Sequence, residues 1–325
     1  MAKHGDDTLF DLGKLELRPL SERVHDLDTT VIGPMAPVAD IHPGLAATAK
    51  ALKAAREKGA ARILMIGAHV LRSGVQRYLF DLMEKGLISL IAVNGACAIH
   101  DFEFALIGAT TESVAKYIRD GRFGLWQETS RLNDIASDAA RRKMPLGHAV
   151  GRAISEGKFP HRDISLFAKA YELGIPVTMH VGIGYDIVCE HPNYDGGAWG
   201  ATSHLDFLRY TEEVRNLEGG VVMNFGSAIM APEIYLKALS MARNAARPTG
   251  ESIRHFTTLV CDLHDLPDDF RVQPSKSTAG YYFRPWKTML VRTVADGGTS
   301  HYVKGRHAET VPMLWTACTG AGSDN

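Results

Sequence analysis

The chain has 325 residues and carries 36 basic against 37 acidic side chains, a net charge of −1. It offers no strong field to a polyanion, which argues against nucleic-acid binding and against adhesion to an anionic membrane. An apolar share of 45% with 22% charged residues excludes general disorder, and no apolar run approaches the ~18 residues that cross a bilayer.

Residues 1–42, charged and proline-bearing, read as an N-terminal arm, and 43–325 as one α/β domain. The start MAKHGDDTLF lacks the basic-then-apolar pattern of a secretory signal, so a cytoplasmic protein is expected. Ala46 to Lys58 is alanine-rich and reads as a helix stopped by Gly59. Arg62 to Gly67 is a short apolar run of the kind that forms a buried strand. Val75, Tyr78, Leu79, Leu82 and Met83 then repeat at helical spacing, with Ser73 as the expected cap and Gly86 as the terminator. A second strand, Ile88 to Val93, and another helix complete a βαβ unit.

The alternation continues. Residues 127–156 are helical with a break near Pro145, Ile164 to Leu173 is helical, and Ile175 to Val181 is a strand. Leu205 to Leu217 is a helix before the strand Val221 to Phe225, and Pro232 to Ala246 is a helix before the strand Phe256 to Cys261. Thr288 to Val294, apolar and rich in β-branched residues, reads as a strand. These elements predict a single doubly wound, mostly parallel sheet of Rossmann-like type.

Ligands of such sheets collect at the carboxyl ends of the strands, here Gly67 to Gly74, Asn94 to Cys97, His180 to Asp186, Asn224 to Ser227 and Asp262 to Asp265. Glycine recurs there without forming G-x-G-x-x-G or a P-loop; one such loop is ordinary turn chemistry, and together they favour a nucleotide. Cys97, three residues before His100, is the nearest thing to a hydrolase nucleophile, although its small neighbours also suit close packing. The four cysteines form no C-x-x-C pair, and the 14 histidines include no H-x-H or H-E-x-x-H, so no metal site is expected. Lys287 leaves the aromatic cluster Tyr281-Tyr282-Phe283-Arg284-Pro285-Trp286; a desolvated lysine there favours the neutral amine that imine chemistry needs, and a snorkelling one does not.

In order and spacing, several segments resemble the deoxyhypusine synthase family over roughly residues 45–318. Gly67 to Gly74 is similar to that family's S-N-L-x-S-S-G segment, and Asn94 to Asp101 stands where the family has T-A-G-G-x-E-E-D. Ile175-Pro176-Val177 followed by Gly184-Tyr185-Asp186 resembles its I-P-V and G-D-M, Gly219 to Asn224 its glycine-rich strand, and Trp286-Lys287 its W-G-K. The resemblance implies an NAD-dependent aminoalkyl transferase, a homotetramer of two dimers, and a small amine substrate. A protein lysine would be a further acceptor class. On matching positions Lys287 would form the imine, and Ala68, His69, Ser73, Gly95, Ala96, Asp262, Gly297 and Gly298 would line the dinucleotide pocket. Asp101 and Asp186 would hold an ammonium, Trp286 would pack on an alkyl chain or cation, and His100 would carry protons.

Departures from the family pattern argue against spermidine. Phe225-Gly226-Ser227-Ala228 replaces a histidine pair, Ile99-His100 replaces two glutamates, and the loop before Lys287 carries Arg284 in place of acids. Two other readings stand beside the transferase: a catalytically silent nucleotide- or partner-binding protein, and a cysteine- or metal-dependent hydrolase.

Overall fold

A computed structural model describes residues 9–321. The start MAKHGDDT and the last four residues, which belong to the expected arm (1–42) and domain (43–325), lie outside the described residues.

The arm makes 3-10 turns and one short strand, β1 (Leu27–Asp28). Helix α1 (Pro43–Glu57) follows, started by Pro43 and by His42 Nδ1, which accepts from Gly44 N at 3.0 Å. Strand β2 (Arg62–Ile66) leads into a short helix α2 (Ala68–Arg72) and then α3 (Gln76–Glu84). Ser73 is therefore the C-cap of α2 and not the N-cap of α3: its hydroxyl donates to the His69 carbonyl at 2.7 Å, and α3 begins with no side-chain cap. Strand β3 (Leu90–Asn94), helix α4 (Gly95–Ile107), strand β4 (Ala109–Thr110) and helix α5 (Val114–Tyr117) come next.

Helices α6 (Arg131–Arg141), α7 (Leu146–Glu156) and α8 (Leu166–Glu172) precede β5 (Val177–His180), and α9 (Gly196–Arg215) starts nine residues before its apolar periodicity does. Then come β6 (Val221–Phe225), α10 (Met230–Ala246), β7 (Thr257–Asp262), β8 (Thr299–Lys304) and α11 (His307–Thr319).

Six strands form one parallel sheet in the order β5-β3-β2-β6-β7-β8, so the chain steps outward from β2 to one edge and then returns to build the other half. That order places the switch point between β2 and β6. Alternate strand residues feed two cores. Leu64, Ile66, Val93 and Phe225 face α1, α3, α4, α8 and α11, while Ile63, Met65, Val222 and Val260 face α9 and α10. The α/β, Rossmann-like reading of the sequence stands.

Thr288 to Val294 is not a strand. Trp286–Arg292 is a π-helix, with Thr293 N bonding to Thr288 O at 3.1 Å. Pro285 presets its first turn, and Thr288, Met289, Leu290, Thr293 and Val294 are buried on one side. The five-residue step from Met289 to Val294 suits the wider π turn and hides the helical period that a 3.6-residue template looks for.

The arm is fixed by a buried ion pair. Arg23 donates from Nη1 and Nη2 to Glu103 Oε1 and Oε2 of α4 at 2.9 and 2.7 Å, with side chains 1% and 2% exposed. Removing one member leaves an uncompensated buried charge. Arg23→Ala is expected to lower unfolding free energy by about 3–5 kcal/mol in urea titration. A loss under about 1 kcal/mol would mean the pair behaves as a solvent-screened surface contact.

Candidate functional site

At the switch point, Gly67 follows β2 and Gly226 follows β6. Gly67 N donates to Phe225 O at 3.0 Å, and a Cβ on Gly67 would lie 2.5 Å from the Gly226 carbonyl oxygen. Gly226 has φ +64, and a Cβ there would collide with the imidazole of His307, the first residue of α11. Burial lowers the His307 pKa, the Asp262 charge raises it, and His69 lowers it, so these three side chains share one electrostatic environment. His307 Nδ1 is buried with no hydrogen-bond partner.

The residues fit a dinucleotide in kind: close glycine backbone, the first-turn amides of α4 at Gly95 and Ala96, and an unsatisfied imidazole nitrogen. Ala68, His69, Gly95, Ala96 and Asp262, expected there from the sequence, all sit at the carboxyl ends of β2, β3 and β7. Gly297 and Gly298 do not. They immediately precede β8, hence lie at the amino edge of a parallel sheet, where Gly297 (φ +107) packs on His255. Their role is the turn into β8.

Beside the switch point, a cavity of about 550 Å3 opens between α4, the loop after β5 and the arm. Its walls include Arg72, Ala96, His100, Thr111, Tyr185 and Asp186. Three of them hold a buried polar atom without a hydrogen-bond partner: Arg72 Nε, Thr111 Oγ1 and Asp186 Oδ2. The Asp186 carboxylate lies so close to Gly95 that any Cβ at 95 would strike it. Burial raises the Asp186 pKa to about 6. Thr111 is held at φ +67, a left-handed conformation rare for a β-branched residue.

His100 belongs to a chain of hydrogen bonds that starts in the arm. Arg23 grips Glu103, Thr110 Oγ1 donates to Glu103 Oε2 at 2.7 Å, and His100 Nδ1 lies 2.8 Å from Thr110 Oγ1. The single hydroxyl proton of Thr110 goes to the carboxylate, so Thr110 accepts from His100 Nδ1–H. That fixes the tautomer and leaves Nε2 as the basic nitrogen. Burial pulls the His100 pKa down to about 4, with Arg72, Arg23 and His69 pulling the same way and Glu103 opposing them.

Other expected site residues fall elsewhere. Asp101 is enclosed in the core, taking bonds from Ser165 Oγ (2.5 Å), Leu166 N (2.7 Å) and Phe167 N (3.3 Å). It ties α4 to the start of α8 and has no route to a ligand's ammonium. Cys97 is fully buried, its thiol raised well above its ordinary pKa by burial, which disfavours a thiolate. Among the described residues no three His, Cys, Asp or Glu side chains converge as a metal cage. Lys287 rests its ammonium 3.7 Å from the centre of the Tyr281 ring, and Trp286 Nε1 donates to Phe270 O at 2.7 Å; neither side chain lines the cavity. Arg284, read as a repulsive cation, is paired with Glu233.

Arg72, Thr110, Thr111, Glu103, Arg23 and His307 are the site residues that sequence reasoning missed. Thr111 had no visible signal, because nothing in its residue type announces a positive φ. Arg23 lies 80 positions from Glu103, beyond any local pattern.

No family model matches the chain, and no curated protein matches it. Solved structures do. ArgZ, an arginine dihydrolase from the ornithine-ammonia cycle in Cyanobacteria, aligns at 14% identity and TM-score 0.50 over 87% of this chain and 33% of its own. Unliganded AgrE aligns at 13% identity and TM-score 0.51, over 85% and 32%. The chain thus spans about a third of the length of these two proteins. An Entamoeba histolytica protein provisionally assigned as a deoxyhypusine synthase aligns at 10% identity and TM-score 0.43 over 85% and 87%, too loose a fit to carry a relationship. These likenesses establish the fold. Among the described residues no helix is long and apolar enough to cross a membrane.

The raised carboxyl of Asp186 has a consequence for stability. The folded group holds its proton up to about pH 6 and the unfolded one to its ordinary 3.8, so the native state binds the extra proton between them and stability falls as pH rises through that window. Asp186→Asn is expected to remove this share of the decline, measured as a smaller loss of urea midpoint between about pH 4 and about pH 7. An unchanged pH slope would place the carboxyl in water.

Proposed function

We propose that this protein is an NAD-dependent enzyme that oxidises a small amine, with the amine held in the cavity beside the switch point. The observation that carries the reading is the relay Arg23–Glu103–Thr110–His100, which leaves one imidazole nitrogen free in a cavity that is also lined by a buried carboxylate whose Oδ2 has no hydrogen-bond partner. AgrE, whose fold this chain shares at TM-score 0.51, is known in a ternary complex with ornithine and NAD+, which supports the cofactor class.

Gly67, Gly95, Ala96, Gly226, His69, His307 and Asp262 are the residues that would hold the dinucleotide. Bound there, it supplies a two-electron acceptor for hydride. The chain's own residues do the rest. Asp186 pairs with the ammonium of the substrate and, once ionised, keeps that end fixed. Oxidation of a primary ammonium to an iminium turns its carbon–nitrogen single bond into a double bond. Carbon gives up one hydride and nitrogen one proton, and His100 Nε2 takes the proton. The hydrophobic Ile99 and Ile187 in the same wall limit water at the reacting carbon.

Transfer of an aminoalkyl fragment through an imine on Lys287 is a later and separable stage of this reading. It requires the Lys287 ammonium to leave the Tyr281 face. A homotetramer, with a site shared between subunits, belongs to the same proposal.

Reduced nicotinamide, followed by fluorescence with a panel of small amines, tests the first stage. His100→Gln is expected to lower its rate constant by about 100-fold or more, the range of a lost general base. Thr110→Val, which frees the tautomer but keeps the imidazole, should cost less. Lys287→Ala should abolish transfer while leaving the burst of reduced cofactor intact. Full activity of His100→Gln would end the proposal. NAD should also raise the melting temperature, since a ligand at 100 times its Kd stabilises by about 2.7 kcal/mol.

A further inference from the structure

Three residues that line one cavity each hold a buried polar atom without a hydrogen-bond partner, and two of them carry opposite charges. Arg72 Nε and Asp186 Oδ2 are both buried and unpartnered, and Thr111 Oγ1 is the third. The remaining buried charges in the same walls are already matched. Glu103 is taken by Arg23, Thr110 and Thr129, and Glu112 accepts from Trp126 Nε1 at 2.9 Å and Gly124 N at 3.0 Å. Asp26 is exposed at the rim, where water solvates it. Asp186 accepts from the Gly182 backbone but has no ion-pair partner, so Arg72 Nε and Asp186 Oδ2 are left as one donor of a cation and one acceptor of an anion for a ligand to satisfy.

We infer that the substrate is an amino acid, its carboxylate taken by Arg72 and its ammonium by Asp186, with Thr111 donating to or accepting from the same head group. The inference rests on the amine-oxidising reading above and names the substrate class of that site. A polyamine satisfies Asp186 but leaves the Arg72 Nε–H buried and faces its positive charge. A simple carboxylic acid satisfies Arg72 and faces Asp186. Only a ligand with both groups meets both atoms, and a buried charged group left unmatched is more costly than the bond itself is favourable.

The walls add shape to the charge. Ile99, Val114, Phe123 and Ile187 make an apolar side to the cavity, and about 550 Å3 accommodates a side chain of moderate size beyond the head group. Thr111 keeps its left-handed backbone because its carbonyl accepts from Asp26 N at 3.0 Å, so the arm sets the position of this hydroxyl. Arg72 is steadied from its own helix, Nη1 lying 3.4 Å from His69 Nε2.

Melting temperatures of the full chain with millimolar pools of the common L-amino acids, of the amines made by their decarboxylation, and of the matching 2-oxo acids test the inference. Only the first pool is expected to raise the melting temperature, and deconvolution gives the side chain. Arg72→Gln and Asp186→Asn should each weaken that ligand by about 10- to 150-fold, the value of one charge-assisted bond. Arg72→Gln should shift preference toward the amine and Asp186→Asn toward the acid. Equal stabilisation by the amine pool, or none by the amino acids, overturns the inference. The two readings fail separately. Reduced nicotinamide formed from a polyamine keeps amine oxidation and removes the amino acid. An amino acid that binds through both residues without reducing NAD keeps the site and removes the oxidation.

Discussion

The bidentate pair between Arg23 and Glu103 is the constraint on which the site depends. Two charges out of water are tolerated only where every remaining oxygen finds a donor. Glu103 does so with Thr110 and Thr129 as well as Arg23. Satisfying the carboxylate therefore fixes the Thr110 hydroxyl, which fixes the proton on His100 Nδ1, which points the free nitrogen of the ring. A single electrostatic requirement deep under α4 thus sets a chemical property at the cavity. It also makes the arm part of the site, because the guanidinium that closes the network comes from residue 23 and not from the sheet.

The sheet supplies the second constraint. Because the strands are parallel and the order reverses between β2 and β6, the loops after those two strands meet at one edge of the sheet. Glycine at 67 and 226 follows from the crowding of that edge, where the chain from β2 runs against the carbonyl of 226 and the chain from β6 against His307. The cavity lies beside this edge, on the β3–β5 side, where the loop after β5 folds back so that Asp186 covers Gly95. Under the proposed function, a dinucleotide and a small ligand would take neighbouring places that meet at the start of α4.

Much of the scaffold was legible because it follows from one-dimensional rules. The run Val221 to Phe225 is buried on both faces and is a strand to the residue; Gly59, Gly86 and Gly174 end helices with positive φ, as their positions implied. Of the candidate site, the sequence made legible the positions that follow a strand closely, as His69 and Ala96 do after β2 and β3. Asp101 misled because a carboxylate one position from His100 looks like a partner, yet on a helix adjacent residues point about 100° apart and this one turns inward to α8. Gly297 and Gly298 misled because a glycine pair signals a turn but not which edge of the sheet the turn is on. Arg72 and Thr111 carry their meaning in what they lack, a hydrogen-bond partner, and only the assembled walls disclose that.

Lys287 shows how far charge placement alone can be read. Its sequence neighbours are apolar and aromatic, which suggests desolvation. The structure instead sets its ammonium on the face of Tyr281, 3.7 Å from the ring centre. The nearby Arg284 is neutralised by Glu233, which also holds Lys237, so the approach to Lys287 carries less net positive charge than the sequence suggests. Under the proposed function, the Lys287 side chain must leave that ring before it can meet a substrate carbonyl. Oxidation with His100 as base, as proposed, would need no such movement. Under that proposal oxidation would come first, with any covalent step waiting on the release of one cation–π contact.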